Sequence, residues 1–152
     1  MPKQHGKDLR KGRFSLEGHF YHLTTVTRGR IRVFAEPAAA RVVVRCLKDI
    51  EDSRLAASFA FVVMPDHLHW LMQLRGDNSL SSVMNRLKGR SSRALTASGI
   101  AVAPIWQRGY YDHAVRSYED LKTIARYIVA NPLRSKLVAK IGDYPWWDAV
   151  WL

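Results

Sequence analysis

Two short apolar segments in the middle of the chain constrain its fold more than any other feature. Residues 59–64 form an apolar run with the length of a buried strand, and residues 68–74 form a second strand pattern. Pro65-Asp66, which separates them, is expected to break or kink the first strand. Helical patterns lie on either side, over residues 37–52 and 79–98, because apolar side chains recur there every three or four positions. The two strands therefore belong to a domain that mixes strands and helices.

Further patterns toward both ends of the chain complete the order of elements. Residues 20–27 are rich in aromatic and β-branched side chains, and residues 105–116 have the composition of an irregular strand. Residues 117–131 carry an apolar stripe typical of a helix. The order strand, helix, strand, strand, helix, strand, helix predicts one α+β domain over residues 1–152. In this domain we expect an antiparallel sheet that is covered by helices on one face.

The charge of the chain points to a polyanionic partner. The chain has 24 lysines and arginines against 13 aspartates and glutamates, a net charge of +11, which favours nucleic acid. Residues 1–13 form a basic arm, and residues 139–152 form an aromatic tail that we expect to fold back onto the domain. A single cysteine excludes a disulfide framework within the chain, and no apolar run approaches the ~20 residues of a membrane span. Since no secretory signal opens the sequence, we expect a cytoplasmic, nucleoid-associated protein with no membrane partner.

Two histidines at the start of the second central strand are the first candidates for a functional site. Side chains alternate between the faces of a strand, so His67 and His69 share one face. Two imidazoles on a rigid strand suit one metal ion or one phosphate, or they are ordinary half-buried histidines. They are too few for a closed zinc site, but they can anchor an open site if a third polar group joins them. Asp66 precedes the pair, but alternation would point it to the other face, and we do not include it.

The late helix offers the groups that two histidines lack. Tyr127 and Asn131 are four positions apart and therefore lie on one edge of this helix. A tyrosine hydroxyl, with a pKa of about 10, is normally inert and becomes a useful nucleophile beside a metal-polarised electrophile. The alternative is an amphipathic side chain at a helix edge. The residues thus allow, without requiring, a tyrosine that attacks a phosphodiester at a two-histidine metal site.

Basic and aromatic groups provide candidates for DNA contacts. The helix over residues 79–98 carries a stripe of three arginines with no acidic residue between them, which is either a solvated face or a phosphate-binding surface. In view of the net charge we favour phosphate binding. We expect the basic groups to contact nucleic-acid phosphates and the segment at 106–110 to contact unpaired bases, which gives the candidates Arg10, Lys11, Arg13, Arg86, Arg90, Arg93, Trp106, Arg108 and Tyr110.

An ordered set of motifs resembles the single-tyrosine HUH transposases, and most closely the REP-associated tyrosine transposases. A His-x-His element alone is not specific, but its combination with a Tyr-Ile-x-x-Asn-Pro helix at residues 127–132 is. The motifs that carry the resemblance lie at residues 9–13, 20–24, 64–69, 106–113, 127–134 and 143–146.

The resemblance implies a fold, a reaction and a set of site residues. The fold is a ferredoxin-like, RRM-like palm with the catalytic tyrosine on a late helix. His67, His69 and Asn131 would bind magnesium or manganese, and Tyr127 would be the nucleophile. Members of the family cut single-stranded DNA next to an imperfect hairpin, which leaves a 5′-phosphotyrosine and a free 3′-hydroxyl. Some relatives are homodimers whose sites use the partner's tyrosine, and others act as monomers; the sequence leaves both arrangements open.

Two other functions are compatible with these residues. A non-catalytic module that binds single-stranded or hairpin nucleic acid would explain the charge and the aromatic content. A two-histidine phosphoesterase would use His22-Leu23-Thr24 as one His-x-Thr unit, but the second unit, His67-Leu68-His69, lacks the hydroxyl residue.

Overall fold

The computed structural model describes residues 19–151, apart from the side chains of residues 118 and 119. The predicted basic arm, with Arg10, Lys11 and Arg13, lies outside the described residues. The helices and strands are, in chain order, β1 (Phe20–Val26), α1 (Pro37–Asp52), β2 (Ala56–Met64), β3 (His67–Leu74), α2 (Leu80–Ala97), β4 (Tyr111–Val115), α3 (Tyr118–Val129), α4 (Asn131–Arg134) and β5 (Trp147–Ala149).

The five strands form one antiparallel sheet in the order β4-β1-β3-β2-β5. The first four strands, with α1 and α2, follow the βαββαβ order of the ferredoxin-like motif. The predicted α+β fold with an antiparallel sheet is therefore confirmed. Within the described residues, no helix is long and apolar enough to cross a membrane.

Helices pack on both faces of this sheet. On one face, α1 and α2 share a core with side chains such as Leu68 and Trp70 of β3. On the other face, α3 packs through Leu121 and Ile128 against Leu71 and neighbouring side chains of β2. The expectation of helices on one face holds for α1 and α2 and is wrong for α3. Since β2 is apolar at nearly every position, both of its faces need cover.

The segments on either side of α3 differ in part from their patterns. Only residues 111–115 of the expected strand at 105–116 are a strand, and Trp106 makes an isolated bridge to Thr27. The tail folds back as expected: it adds the short strand β5 beside β2, and the Tyr144 hydroxyl donates a hydrogen bond of 2.6 Å to the Val63 carbonyl. Three residues are too few for a strand pattern to be visible in the sequence.

Candidate active site

His67 and His69 lie at the start of β3, on the sheet face that α3 covers. Their ring centroids are 5.0 Å apart and the ring planes are nearly perpendicular, at 87°. The alternation expected from the sequence is observed, since Leu68 and Trp70 point into the core on the opposite face. The two imidazoles therefore form one polar corner at the end of a mostly apolar strand.

Asp66 belongs to this corner, which contradicts our expectation from alternation. Its Oδ1 lies 2.7 Å from Nδ1 of His67, and its Oδ2 accepts a hydrogen bond of 3.0 Å from Nε of Arg30. Alternation does not apply because Asp66 lies in the two-residue turn between β2 and β3. A carboxylate on Nδ1 holds the proton there, so that the lone pair of His67 is on Nε2.

His69 is held in the same way by two side chains of β1. Its Nδ1 lies 3.1 Å from Nε2 of His22 and 3.0 Å from Oγ1 of Thr24. The strand register pairs Thr24 with His69, which places the His22-Leu23-Thr24 segment in support of the histidine pair. This arrangement weighs against a two-histidine phosphoesterase, because the His-x-Thr unit is engaged with His69. Sequence reasoning noticed this segment but did not connect it with His69.

Burial keeps these imidazoles neutral. Desolvation, with the charges of His22, His67 and Arg134, lowers the pKa of His69 to about 2. Desolvation also lowers the pKa of His67, although the nearby Asp66 carboxylate opposes that shift. For His22, burial and the charge of His113 lower the pKa to about 4. Neutral imidazoles have the lone pairs that metal binding requires.

Tyr127 and Asn131 lie beside the histidines of the same chain. The helix α3 ends at Val129, and Pro132 begins a new turn, α4, which brings the Asn131 amide 3.4 Å from Nε2 of His67. The ring centroid of Tyr127 is 6.3 Å from that of His69. Tyr127 is 54% exposed, so it can be reached from solvent.

The donor set suits a divalent ion. Within the described part of the chain, no three histidine, cysteine, aspartate or glutamate side chains converge on a metal site, so an ion here would need the Asn131 amide oxygen as a third protein ligand. The amide nitrogen faces His67, and the oxygen accepts a hydrogen bond of 3.2 Å from the Ser135 hydroxyl. A half-turn of the amide exchanges the two atoms, and the Ser135 hydroxyl can then accept instead of donate. Two neutral imidazoles and this oxygen fit a divalent ion.

The predicted base-stacking residues are mostly in the core. Trp106 and Tyr110 are each only 7% exposed, and Trp106 packs on Phe34 while it donates to the Ser91 hydroxyl. Their rings are therefore not available for stacking on bases, which corrects the expectation for both. Arg108 lines an open groove between α2 and the segment at 103–109, together with Arg28.

The arginine stripe of α2 has an acidic partner that lies on the other helix, α1. Arg86 and Arg90 lie 3.6 Å and 3.0 Å from the Asp49 carboxylate of α1. The stripe also lies on the opposite face of the sheet from His67 and His69. Arg93 lines a shallow groove between the same two helices. The expectation of an unpaired stripe is therefore wrong for Arg86 and Arg90.

Comparison with known proteins adds the family context. A family model described as "Transposase IS200 like" matches residues 15–131. A REP-associated tyrosine transposase of Escherichia coli K12 is 31% identical over 87 residues, which cover 57% of this chain and 50% of the relative. A putative REP-associated tyrosine transposase of Haemophilus influenzae is 30% identical over 97 residues, 57% of this chain and 55% of the relative. The chain thus spans about half the length of the curated relatives it matches.

Solved structures show the same fold. A REP-associated tyrosine transposase bound to a REP hairpin superposes with a TM-score of 0.76 at 24% identity, covering 89% of this chain and 79% of the other. A putative transposase from Deinococcus radiodurans gives a TM-score of 0.57 at 26% identity, covering 77% of this chain and 93% of the other. Because the family model covers most of the chain, from before β1 to Asn131, this protein belongs to the IS200-like transposase family.

Proposed function

We propose that this protein is a metal-dependent transposase that cuts single-stranded DNA beside a hairpin and attaches one strand end to Tyr127. The observation that carries this proposal is that the Tyr127 ring lies 6.3 Å, centroid to centroid, from His69 of its own chain, while the Asn131 amide lies 3.4 Å from His67. An exposed tyrosine next to neutral imidazoles suits attack on a phosphodiester. Relatives that are named REP-associated tyrosine transposases, one of them bound to a REP hairpin, support the choice of substrate.

The reaction exchanges one phosphodiester for another. The Tyr127 hydroxyl oxygen attacks the phosphorus and loses its proton, while the bond from phosphorus to the 3′-oxygen breaks. The departing oxygen takes up a proton and becomes a free 3′-hydroxyl, and the 5′-phosphate stays on the tyrosine. Because the new bond is again a phosphodiester, a 3′-hydroxyl can reverse the step and join a strand without a nucleotide cofactor.

We propose that His67, His69 and Asn131 hold the metal ion, Mg²⁺ or Mn²⁺. When bound, the ion would polarise the scissile phosphate and offset the charge that develops on it. Asp66 and the pair His22 and Thr24 contact the Nδ1 atoms of the two imidazoles. These contacts leave both Nε2 atoms for the ion. All four proposed site residues lie together in one chain, so we propose that a partner's tyrosine is not required even if the protein forms a homodimer.

The groove lined by Arg28 and Arg108 is a candidate path for DNA toward the site. Arg28 is two residues from Arg30, whose guanidinium pairs with Asp66 next to His67. A strand in the groove would therefore reach the site past one short loop. The positions that we retain as proposed phosphate contacts are Arg10, Lys11, Arg13 and Arg93. Arg108, which was predicted to contact unpaired bases, remains a proposed DNA contact in the groove.

A covalent adduct with DNA tests the proposal. A single-stranded hairpin oligonucleotide with a label at its 3′ end should become attached to the protein in the presence of Mg²⁺ or Mn²⁺, and the adduct should survive denaturing electrophoresis. Tyr127→Phe should abolish the adduct and leave binding unchanged, because only the nucleophilic oxygen is lost. Tyr144→Phe is the matched control, since that hydroxyl is already engaged by the Val63 carbonyl.

Two outcomes would overturn the proposal. An undiminished adduct with Tyr127→Phe would show that another residue is the nucleophile. Tight, salt-dependent binding of the hairpin without any adduct from the wild-type protein would favour the non-catalytic binding module instead.

A further inference from the structure

We infer that Arg134 is an additional active-site residue, which positions the ring of Tyr127 and provides a cation for the scissile phosphate. This inference rests on the proposed function. The guanidinium carbon of Arg134 lies 3.9 Å from the centroid of the Tyr127 ring, so the guanidinium is stacked on the ring. No role was expected for Arg134 from its position in the sequence motif.

The short helix α4 explains why Arg134 reaches this place. Asn131 and Arg134 are three residues apart on this turn and therefore lie on one side of it. The Asn131 amide faces His67, and the Arg134 guanidinium covers Tyr127. One helical turn thus brings an amide to the histidine pair and a cation to the nucleophile.

Stacking by Arg134 matters because core packing does not hold the tyrosine. The helix that carries Tyr127, α3, is anchored through Ile128, which is fully buried, whereas Tyr127 itself is 54% exposed. An exposed ring at a helix edge is free to change rotamer unless a neighbour restrains it. The guanidinium on one face of the ring is such a restraint, and it would keep the hydroxyl oriented for attack.

The charge of Arg134 is also available to a phosphate. Among the side chains that the structure describes, no carboxylate lies within ion-pair distance of Arg134, whereas Arg30, Arg86 and Arg90 all pair with aspartates. Its charge also contributes to the lowered pKa of His69, which agrees with a position close to the histidines. A phosphate between Tyr127 and His69 would lie beside the guanidinium, whose planar N–H groups match phosphate oxygens.

Single-turnover kinetics with saturating protein separate this role from DNA binding. Arg134→Ala should slow adduct formation by about 100-fold or more, the usual cost of losing one group that stabilises developing charge, with a far smaller loss in hairpin affinity. Arg134→Lys should recover part of the rate, because lysine restores the charge but not the planar stack. The matched control is Arg126→Ala, since that arginine lines a separate groove with Lys122 and Trp151.

Chemical rescue distinguishes a charge near the phosphate from a purely structural effect. Millimolar guanidinium should partly restore the rate of Arg134→Ala and should leave Arg126→Ala and the wild type unchanged. Equal rates for Arg134→Ala and Arg126→Ala would overturn the inference, as would a slow Arg134→Ala that neither lysine nor guanidinium improves. If the wild-type protein forms no adduct at Tyr127, the proposed function itself fails and the role of Arg134 fails with it.

Discussion

Removal of the carboxylate of Asp66 should weaken metal binding without removing a ligand. In the structure, Oδ1 lies 2.7 Å from Nδ1 of His67, and both side chains are well shielded, with 24% and 15% of their surfaces exposed. Hydrogen bonds to His67 and Arg30 lower the pKa of Asp66 despite the opposing effect of its burial. The group that holds the His67 proton is therefore a carboxylate at neutral pH.

The magnitude follows from what this contact does for His67. Asp66→Ala leaves Nδ1 without its acceptor, so the ring can rotate and can place its proton on Nε2, the atom that we propose binds the metal. Loss of a hydrogen bond to a metal-binding imidazole typically lowers metal affinity by about 10- to 100-fold, which corresponds to about 1.4–2.7 kcal/mol of binding free energy. Asp66→Asn should fall between the wild type and Asp66→Ala, because its amide oxygen still accepts the hydrogen bond but carries no charge.

Titration calorimetry of Mn²⁺ binding in the absence of DNA measures this effect directly. Arg30→Gln is a useful companion, because it removes only the contact to Oδ2 and the Arg30 side chain is 58% exposed; we expect a loss of less than about threefold, since exposed ion pairs contribute little. Asp77→Asn, in the turn after β3, is the control for a change of charge alone. An unchanged Mn²⁺ affinity in Asp66→Ala would refute the assigned role of this contact and would count against His67 as a ligand.

Three further predictions follow from the structure. Metal-free protein should become less stable to heat as the pH falls below about 6.5. The reason is that unfolding lets His22 and His69 take up protons, whereas their pKa values in the folded chain are about 4 and about 2. A melting temperature that does not change between pH 7 and pH 5 would contradict this prediction. Trp106→Ala should lower the free energy of unfolding by about 3–5 kcal/mol in urea titrations, and a selective loss of DNA binding without this destabilisation would show that the ring contacts DNA. A mixture of Tyr127→Phe with the double variant His67→Ala, His69→Ala should form no adduct, because each chain lacks part of its own site; adduct formation in the mixture would show that sites are shared between chains.

Much of the fold could be predicted from periodicity, because most elements are long enough to show it. The helix α1 spans residues 37–52, the predicted range, since Pro37 suits the first helical position and the apolar stripe continues to Ile50. The position of α3 on the second face of the sheet could not be predicted from the α3 sequence alone, because an apolar stripe does not specify which face of a sheet it covers. Only the apolar character of β2 on both faces carried that information.

The site could be predicted where it depends on local geometry. His67 and His69 share a face because strand alternation is a local property. Asp66 was excluded by the same rule, which does not hold in a turn. The contact of His69 with Thr24 depends on the register between β1 and β3, which no pattern within one strand reveals. The pairing of Arg90 with Asp49 likewise joins two residues that are 41 positions apart in sequence and lie on different helices.

The break between α3 and α4 determines where Tyr127 and Asn131 lie relative to the two histidines. Along an uninterrupted helix, Tyr127 and Asn131 would be neighbours on one edge, about 5–6 Å apart. Here α3 ends at Val129, and Pro132 starts the next turn, since proline fits the first turn of a helix and not its interior. Asn131 consequently reaches His67 on the sheet, while Tyr127 remains on the anchored helix beside His69. The Asn-Pro pair therefore lets one stretch of chain place the proposed nucleophile beside His69 and the proposed metal ligand beside His67.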